Sequence, residues 1–386
     1  MKVAIVHDYL FQFGGAEKVV EAWLDMYPQA EIYTSFFVPE KFNTSESITK
    51  AYTENRIYTS IAQCIFSFRF MHRFQKHFFW LYPLVMRLVK VQGCDIVLTS
   101  STDCGKQIQL KNNKKIIHYC HSPTRYLHGL TTEADHNSLN TIYKIFIPLF
   151  IPFLRWLDLR AVKNLNALET VWLANSEFIK TTIKQVYLTD STVVYPPIEL
   201  DKFLNLKRTG GGDFYLCHGR ISFHKRIDLA IVACLELGKK LKISGTAGFQ
   251  KQMDDLVKLV TDYEKKHPEK KGLIEFLGRT SDEQYFDLIN HCKGFLFPGK
   301  EDFGIAPIEI LAAGVPVIAY QSGGALEYVK ESLNGVFFPD QTVDSLIMGI
   351  QRFEQVTNWN TEQIRESSLP FSLAVFRQKI TQFANN

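Results

Sequence analysis

The chain has 386 residues, 46% of them hydrophobic, with a formal net charge of +4. Such a composition supplies buried cores for about two domains and excludes a disordered chain, and so small a charge argues against nucleic acid as the main partner. The seven cysteines (64, 94, 104, 120, 217, 234, 292) are scattered and never form Cys-x-x-Cys, which fits a reducing compartment better than a disulfide framework or a zinc site.

In chain order, the first element is a short buried strand, KVAIV, running into His7-Asp8; its apolar run is too short for a signal peptide. Gly14-Gly15 then opens a helix and lets a ligand approach the backbone closely. Between Glu54 and Asp95 there is no acidic residue, but there are Arg56, Arg69, Arg73, Lys76, Arg87 and Lys90. Interleaved with them are Phe66, Phe68, Phe70, Phe74, Phe78, Phe79, Trp80 and Tyr82. A core helix with a basic edge is one reading; a surface resting on anionic lipid suits uncompensated cations beside aromatics better. DIVLTS and KIIHYC follow as strands, the second leading through His118 to His121. On a strand, positions three apart point to opposite faces, so this pair does not predict a metal site. The most apolar stretch, Ile142 to Leu154, is broken by Lys144, Pro148 and Pro152 and falls short of the ~20 residues that span a bilayer. The expectation is a cytoplasmic protein, peripheral on the inner face of a membrane.

TVWLANS and TVVYPP complete the first series, with Ser176 predicted to cap a helix. Adjacent Pro196 and Pro197 forbid helix and mark a connector. FYLCHGR, LKISG, IEFLG, GFLFPG and VPVIAY form a second series. Strands alternating with helix-length segments predict two α/β domains, each a doubly wound parallel sheet, facing across a cleft. The predicted boundaries are 1–195 for an acceptor-binding domain and 196–370 for a nucleotide-sugar domain. A final helix, Phe371–Phe383, is expected to return to the first.

The most informative segment is Phe297-Pro-Gly-Lys-Glu301-Asp-Phe303-Gly304-Ile305-Ala-Pro307-Ile-Glu309. It reads strand, loop, helix. Gly304 permits a tight turn, and the helix N-terminus offers unpaired N–H groups to a phosphate. Glu301 and Glu309 straddle that terminus. They could merely complement the helix dipole, but Glu309 follows a mostly apolar run, which favours function. The second constellation is Gly219-Arg220 followed by Lys225 at the end of a strand, where a guanidinium and an ammonium can neutralise a departing diphosphate.

EDFGIAPIEILAAGVPVIA resembles the Glu-x7-Glu hallmark of the family 4 retaining glycosyltransferases, which have two Rossmann-like lobes (the GT-B fold). The resemblance runs nearly end to end and includes GGAE at Gly14–Glu17, Gly219-Arg220 with Lys225, and the Ala-Asn-Ser turn. HYCHSPTRY is similar to bacterial polysaccharide and O-antigen mannosyltransferases. Arg226 stands where the family's Lys-Gly pattern has glycine. The resemblance implies that Glu301 contacts donor-sugar hydroxyls and Glu309 the ribose. It also implies that Arg220 and Lys225 hold the diphosphate and His121, with His118 second, contacts the sugar. Gly14, Gly15, Gly219, Phe303, Gly304 and Ile305 complete the donor site. The implied donor is GDP-mannose, with UDP-hexoses next, and the implied acceptor a lipid-linked glycan or a polysaccharide in cell-surface glycan synthesis. No cofactor is expected, and no metal: no Asp-x-Asp occurs in the chain. An epimerase of the same architecture would consume donor without acceptor. A non-catalytic sugar-nucleotide-binding subunit would need a damaged site, and a phosphorylase would need a cofactor-lysine motif.

Overall fold

A computed structural model describes residues 1–66, 81–130, 141–208, 212–248 and 250–385. The chain forms two compact units, Met1–Pro197 with Leu373–Asn386, and Ile198–Ser372.

In the first unit the strands are β1 (Val3–His7), β2 (Glu31–Thr34), β3 (Ile57–Thr59), β4 (Lys90–Gln92), β5 (Ile96–Ser101), β6 (Gln109–Lys111), β7 (Lys115–Cys120), β8 (Val171–Ala174) and β9 (Thr192–Val193). Seven of them make one parallel sheet in the order β3-β2-β1-β5-β7-β8-β9, and β4 pairs with β6 apart from it. β1 and β5 are buried at every residue, as a parallel strand covered on both faces must be. The helix Gly15–Met26 presents Val19, Val20, Trp23 and Leu24 inward at helical spacing. Tyr119 on β7 meets Trp23 edge-on at 6.2 Å between ring centroids and Phe376 at the same distance. Phe376 and Ile380 thus bring the last helix, Leu373–Asn385, into the first unit's core. That helix begins later than the pattern predicts because Leu369–Phe371 is a 3-10 turn around Pro370.

The second unit holds β10 (Phe214–His218), β11 (Lys240–Ser244), β12 (Ile274–Gly278), β13 (Gly294–Phe297), β14 (Val317–Tyr320) and β15 (Gly335–Phe338), parallel in the order β12-β11-β10-β13-β14-β15. The apolar helix Ile227–Leu237 buries Ala230, Ile231 and Cys234 completely against it.

Both sheets are wound in two directions from a central strand, so each has a switch point where connections leave on opposite faces. In the first unit it lies between β1 and β5, in the second between β10 and β13. The carboxyl ends there are the places where open α/β sheets bind ligands. No helix among the described residues is long and apolar enough to cross a membrane. Most of the aromatic and basic run, from Phe68 to Trp80 with Arg69, Arg73 and Lys76, lies outside the described residues. Two of its flanking members serve the fold instead of a lipid surface. Arg56 donates to Ala30 O at 2.6 Å and pairs with Glu54, and Tyr82 is buried.

Candidate functional site

The second unit carries a charged cluster at the ends of its strands. β10 ends at His218, and Gly219 N donates to Ser244 O at 3.0 Å. The backbones run so close here that a Cβ on Gly245 would lie 1.8 Å from Gly219 O. Arg220 follows, exposed, and a 3-10 turn, Phe223–Lys225, delivers Lys225 back toward the strand ends. Arg226 then adopts φ 49°, ψ 42°, the left-handed conformation that glycine would take at no steric cost. The loop therefore keeps the path a glycine would give it, and the Arg226 guanidinium closes onto Asp228 at 2.9–3.2 Å.

β13 ends at Phe297, and the loop after it carries Glu301. Gly304, at φ +89°, makes the turn into the helix Ile305–Ala312, so the glycine there answers a real backbone demand. Lys225 Nζ lies 2.8 Å from Glu301 Oε1, joining two motifs that the sequence separates; each side chain is about one-fifth exposed (18% and 19%). The loop is clamped at both ends. Gly324 N donates to Glu301 O and the Tyr328 hydroxyl to Phe303 O, both at 2.9 Å. Phe303 turns its ring into the core against Tyr328 and Phe371, so what it offers a ligand is backbone. Ile305 and Glu309 are half-buried, at the first and second turns of the helix. His218 stacks on Tyr285 at 3.7 Å; burial and then the Lys225 charge lower its pKa to about 4, so it is neutral at pH 7.

The first unit carries a hydrogen-bonded cluster of its own. The register β1–β5 sets His7 opposite Ser100, and β5–β7 sets Ser101 opposite Cys120, so His121 emerges beside the end of β5. His7 Nδ1 is 3.1 Å from both the carbonyl and the hydroxyl of Ser100, and the same hydroxyl is 2.8 Å from His121 Nε2. On its other side His7 Nε2 is 3.8 Å from Glu17 Oε1. Burial alone would lower the His7 pKa, but bonding to Glu17 and the charges of Glu17 and Asp8 raise it overall. His121 goes the other way, to about 3, through burial and then the His7 charge. His118 is buried, bonded at 2.5 Å to the Thr99 hydroxyl and set edge-on to Trp172. Of the two histidines, His118 serves the core and His121 reaches the strand ends. Gly14 caps the helix Gly15–Met26 and donates its N–H to Glu17 Oε2 at 2.9 Å.

Sequence reasoning did not single out Asp8 and Ser100 as site residues. The buried Asp8 carboxylate accepts from Thr102 N (2.6 Å), Asp103 N (2.9 Å), Gly105 N (2.5 Å) and the Ser101 hydroxyl (2.7 Å). An Asp at the end of β1 and a hydroxyl-rich end to β5 were the available signals. Ser176 does cap the helix Glu177–Tyr187, accepting from Ile179 N at 3.0 Å. Among the described residues no cluster of three or more His, Cys, Asp or Glu has the arrangement of a metal site.

The second unit's cluster can hold a diphosphate on Lys225, Arg220 and a helix N-terminus, with two carboxylates beside it for hydroxyl groups.

Residues 201–366 match the family described as "Glycosyl transferases group 1". The chain is similar to the α-1,3/1,6-mannosyltransferase ALG2 of Saccharomyces cerevisiae, 26% identical over 381 residues, covering 86% of this chain and 72% of that protein. Against human ALG2 it is 26% identical over 248 residues, 58% of this chain and 56% of that one. Among solved structures, Anabaena Alr3699/HepE in complex with UDP and glucose aligns over the whole of both chains with TM-score 0.67 at 17% identity. The sucrose-phosphate synthase of Thermosynechococcus elongatus aligns with TM-score 0.67 at 15% identity, over 100% of this chain and 98% of that one.

Proposed function

We propose that this chain, a group 1 glycosyltransferase of GT-B fold, transfers mannose with retention from GDP-mannose to a lipid-linked glycan at the cytoplasmic face of an anionic membrane. The observation that carries the donor site is the 2.8 Å contact of Lys225 with Glu301 at the second unit's switch point. It puts a cation for the diphosphate beside a carboxylate for the sugar. GDP-mannose is supported by the ALG2 relatives and by the resemblance of HYCHSPTRY to polysaccharide mannosyltransferases, and a lipid-linked acceptor by the resemblance to enzymes that glycosylate lipid-linked oligosaccharides.

In this reading the diphosphate takes Lys225 and Arg220, with the N–H groups opening the helix Ile305–Ala312 behind it. Glu309 accepts from the ribose hydroxyls. The diphosphate oxygens compete with Glu301 for Lys225 and free that carboxylate to accept from sugar hydroxyls. Gly14, Gly15 and Gly219 let backbone come close to the ligand, and His121 donates to the sugar. The anomeric C–O bond breaks with its electron pair passing to the diphosphate, whose growing charge the cations and helix dipole stabilise. The acceptor hydroxyl bonds to the same face of the sugar and gives its proton to the departing phosphate oxygen.

A thermal-shift screen of nucleotide sugars tests this. At a hundred times its Kd the true donor stabilises by about 2.7 kcal/mol. GDP-mannose should raise the melting temperature and Lys225→Ala should abolish the rise. A rise with UDP-hexoses alone would replace the donor. No response to any nucleotide sugar would reject the reading, and donor consumption without acceptor would favour an epimerase.

A further inference from the structure

The helix Thr141–Asn166 has a face that the transfer reaction does not use. From Phe150 onward its inward stripe is Leu154, Leu157, Ala161 and Leu165. Away from that stripe the helix exposes Phe153 (49%), Trp156 (51%) and Leu159 (41%) to solvent. A core-facing amphipathic helix turns such residues inward; here large apolar groups lie on both sides. Phe153 and Trp156 stack at 6.0 Å, and the Arg160 guanidinium lies 5.2 Å over the Trp156 ring.

Charge on this face has one sign. Arg155, Arg160 and Lys163 are exposed, and the single acidic residue from Phe150 to Asn166, Asp158, is withdrawn into the unit. There its carboxylate is held by Lys106 at 3.0 Å, and by His128 and the Tyr187 hydroxyl at 2.9 Å. Burial of that carboxylate beside a lysine removes the one negative charge that would repel an anionic surface. Cations interleaved with Trp, Phe and Leu match a bilayer interface. Aromatic rings settle there at headgroup depth, and each Lys or Arg near anionic lipid adds its attraction.

We propose that this outward face, from Phe153 to Lys163, is the surface on which the chain rests on an anionic lipid bilayer. The proposal deepens the membrane reading given above and rests on it for its purpose, but it is tested without any transfer reaction. Vesicles of phosphatidylcholine with and without phosphatidylglycerol are sedimented with the full chain, with Arg160→Ala/Lys163→Ala, and with Phe153→Ala/Trp156→Ala. All four side chains are exposed, so their truncation leaves the fold in place, checked by an unchanged melting temperature. Binding of the parent to anionic vesicles should weaken roughly 30-fold on loss of the two cations. Loss of the two rings should weaken it on the order of 100-fold. The charge variant should match the parent on pure phosphatidylcholine. Three results would overturn the proposal: no vesicle binding by the parent, parent-like binding by both variants, or loss of self-association in place of vesicle binding. Vesicle binding by a parent that responds to no nucleotide sugar would sink the transferase reading and leave this surface standing.

Discussion

Asp8→Asn should destabilise the first unit by about 2–4 kcal/mol, because the substitution removes one acceptor from a nest of donors. One carboxylate oxygen of Asp8 accepts from Thr102 N and Asp103 N, the other from Gly105 N and the Ser101 hydroxyl. An asparagine must put its NH2 on one side or the other. Facing Thr102 and Asp103 it orphans two amides. Facing Gly105 it orphans one, since the Ser101 hydroxyl can turn to accept, and this is the cheaper choice. One buried orphan N–H costs about 1–3 kcal/mol, and the bonds that remain lose their charge assistance. The pH dependence has a definite sign. Burial would raise the Asp8 pKa, but the His7 charge and the amides of Thr102 and Gly105 lower it below the ordinary 3.8. The folded state therefore binds this proton less readily than the unfolded one. Its contribution is full above the ordinary carboxyl range and is lost as pH falls through the depressed folded value. Hydrogen exchange resolved to the 96–106 segment, compared between parent and variant at pH 7 and in acid, reads this without assuming that two units unfold as one. A difference under about 0.5 kcal/mol at pH 7, with unchanged protection of those amides, would refute the assignment of Asp8 as their anchor.

Lys225→Ala and Glu309→Ala, each in protein that stays folded, should lower turnover about tenfold or more, since they bind diphosphate and ribose in the proposed reading. Near-normal turnover by Glu309→Ala would remove it from the donor site. Excess EDTA should leave the transfer rate within about twofold if, as in the proposed reading, Lys225, Arg220 and a helix dipole carry the leaving-group charge; strict dependence on added magnesium or manganese would overturn that mechanism.

What the sequence made legible depended on how local the signal was. Buried strands such as DIVLTS and KIIHYC are continuous apolar runs, because a central parallel strand is covered on both faces. β2, β3 and β15 gave no such run. In β2 Glu31 and Tyr33 stay half-exposed, and β3, at the sheet's edge, offers three residues with none buried. β15 opens on Gly335, which is needed because a Cβ there would lie 2.3 Å from Val317 O. Glu301, Glu309 and Lys225 stood out because each sits in a contiguous strand–loop–helix pattern whose geometry the chain fixes within a dozen residues. The bond between His7 and Ser100 joins residues 93 positions apart, and no local pattern announces it. Arg226 shows the converse: its residue type departs from glycine while its backbone keeps glycine's conformation, at a cost of roughly 1–2 kcal/mol. The Asp228 ion pair, about one-third exposed or more on each side, offsets only a part of that.

The hydrogen-bond order at the end of β5 fixes what His121 can offer. With Nδ1–H of His7 donating to the Ser100 carbonyl, the Ser100 hydroxyl is left to turn its own proton to His121 Nε2. His121, neutral because burial and the His7 charge hold its pKa near 3, then carries its remaining proton on Nδ1. Its offer to a ligand is a neutral N–H, while the carboxylates of Glu17 and Asp8 act one residue back, on His7, whose pKa they raise. In the proposed reading this divides the labour by chemistry. Lys225 and Arg220 in the second unit face the phosphates, where charge is useful. His121 suits an uncharged sugar, to whose hydroxyl oxygens a neutral N–H can donate.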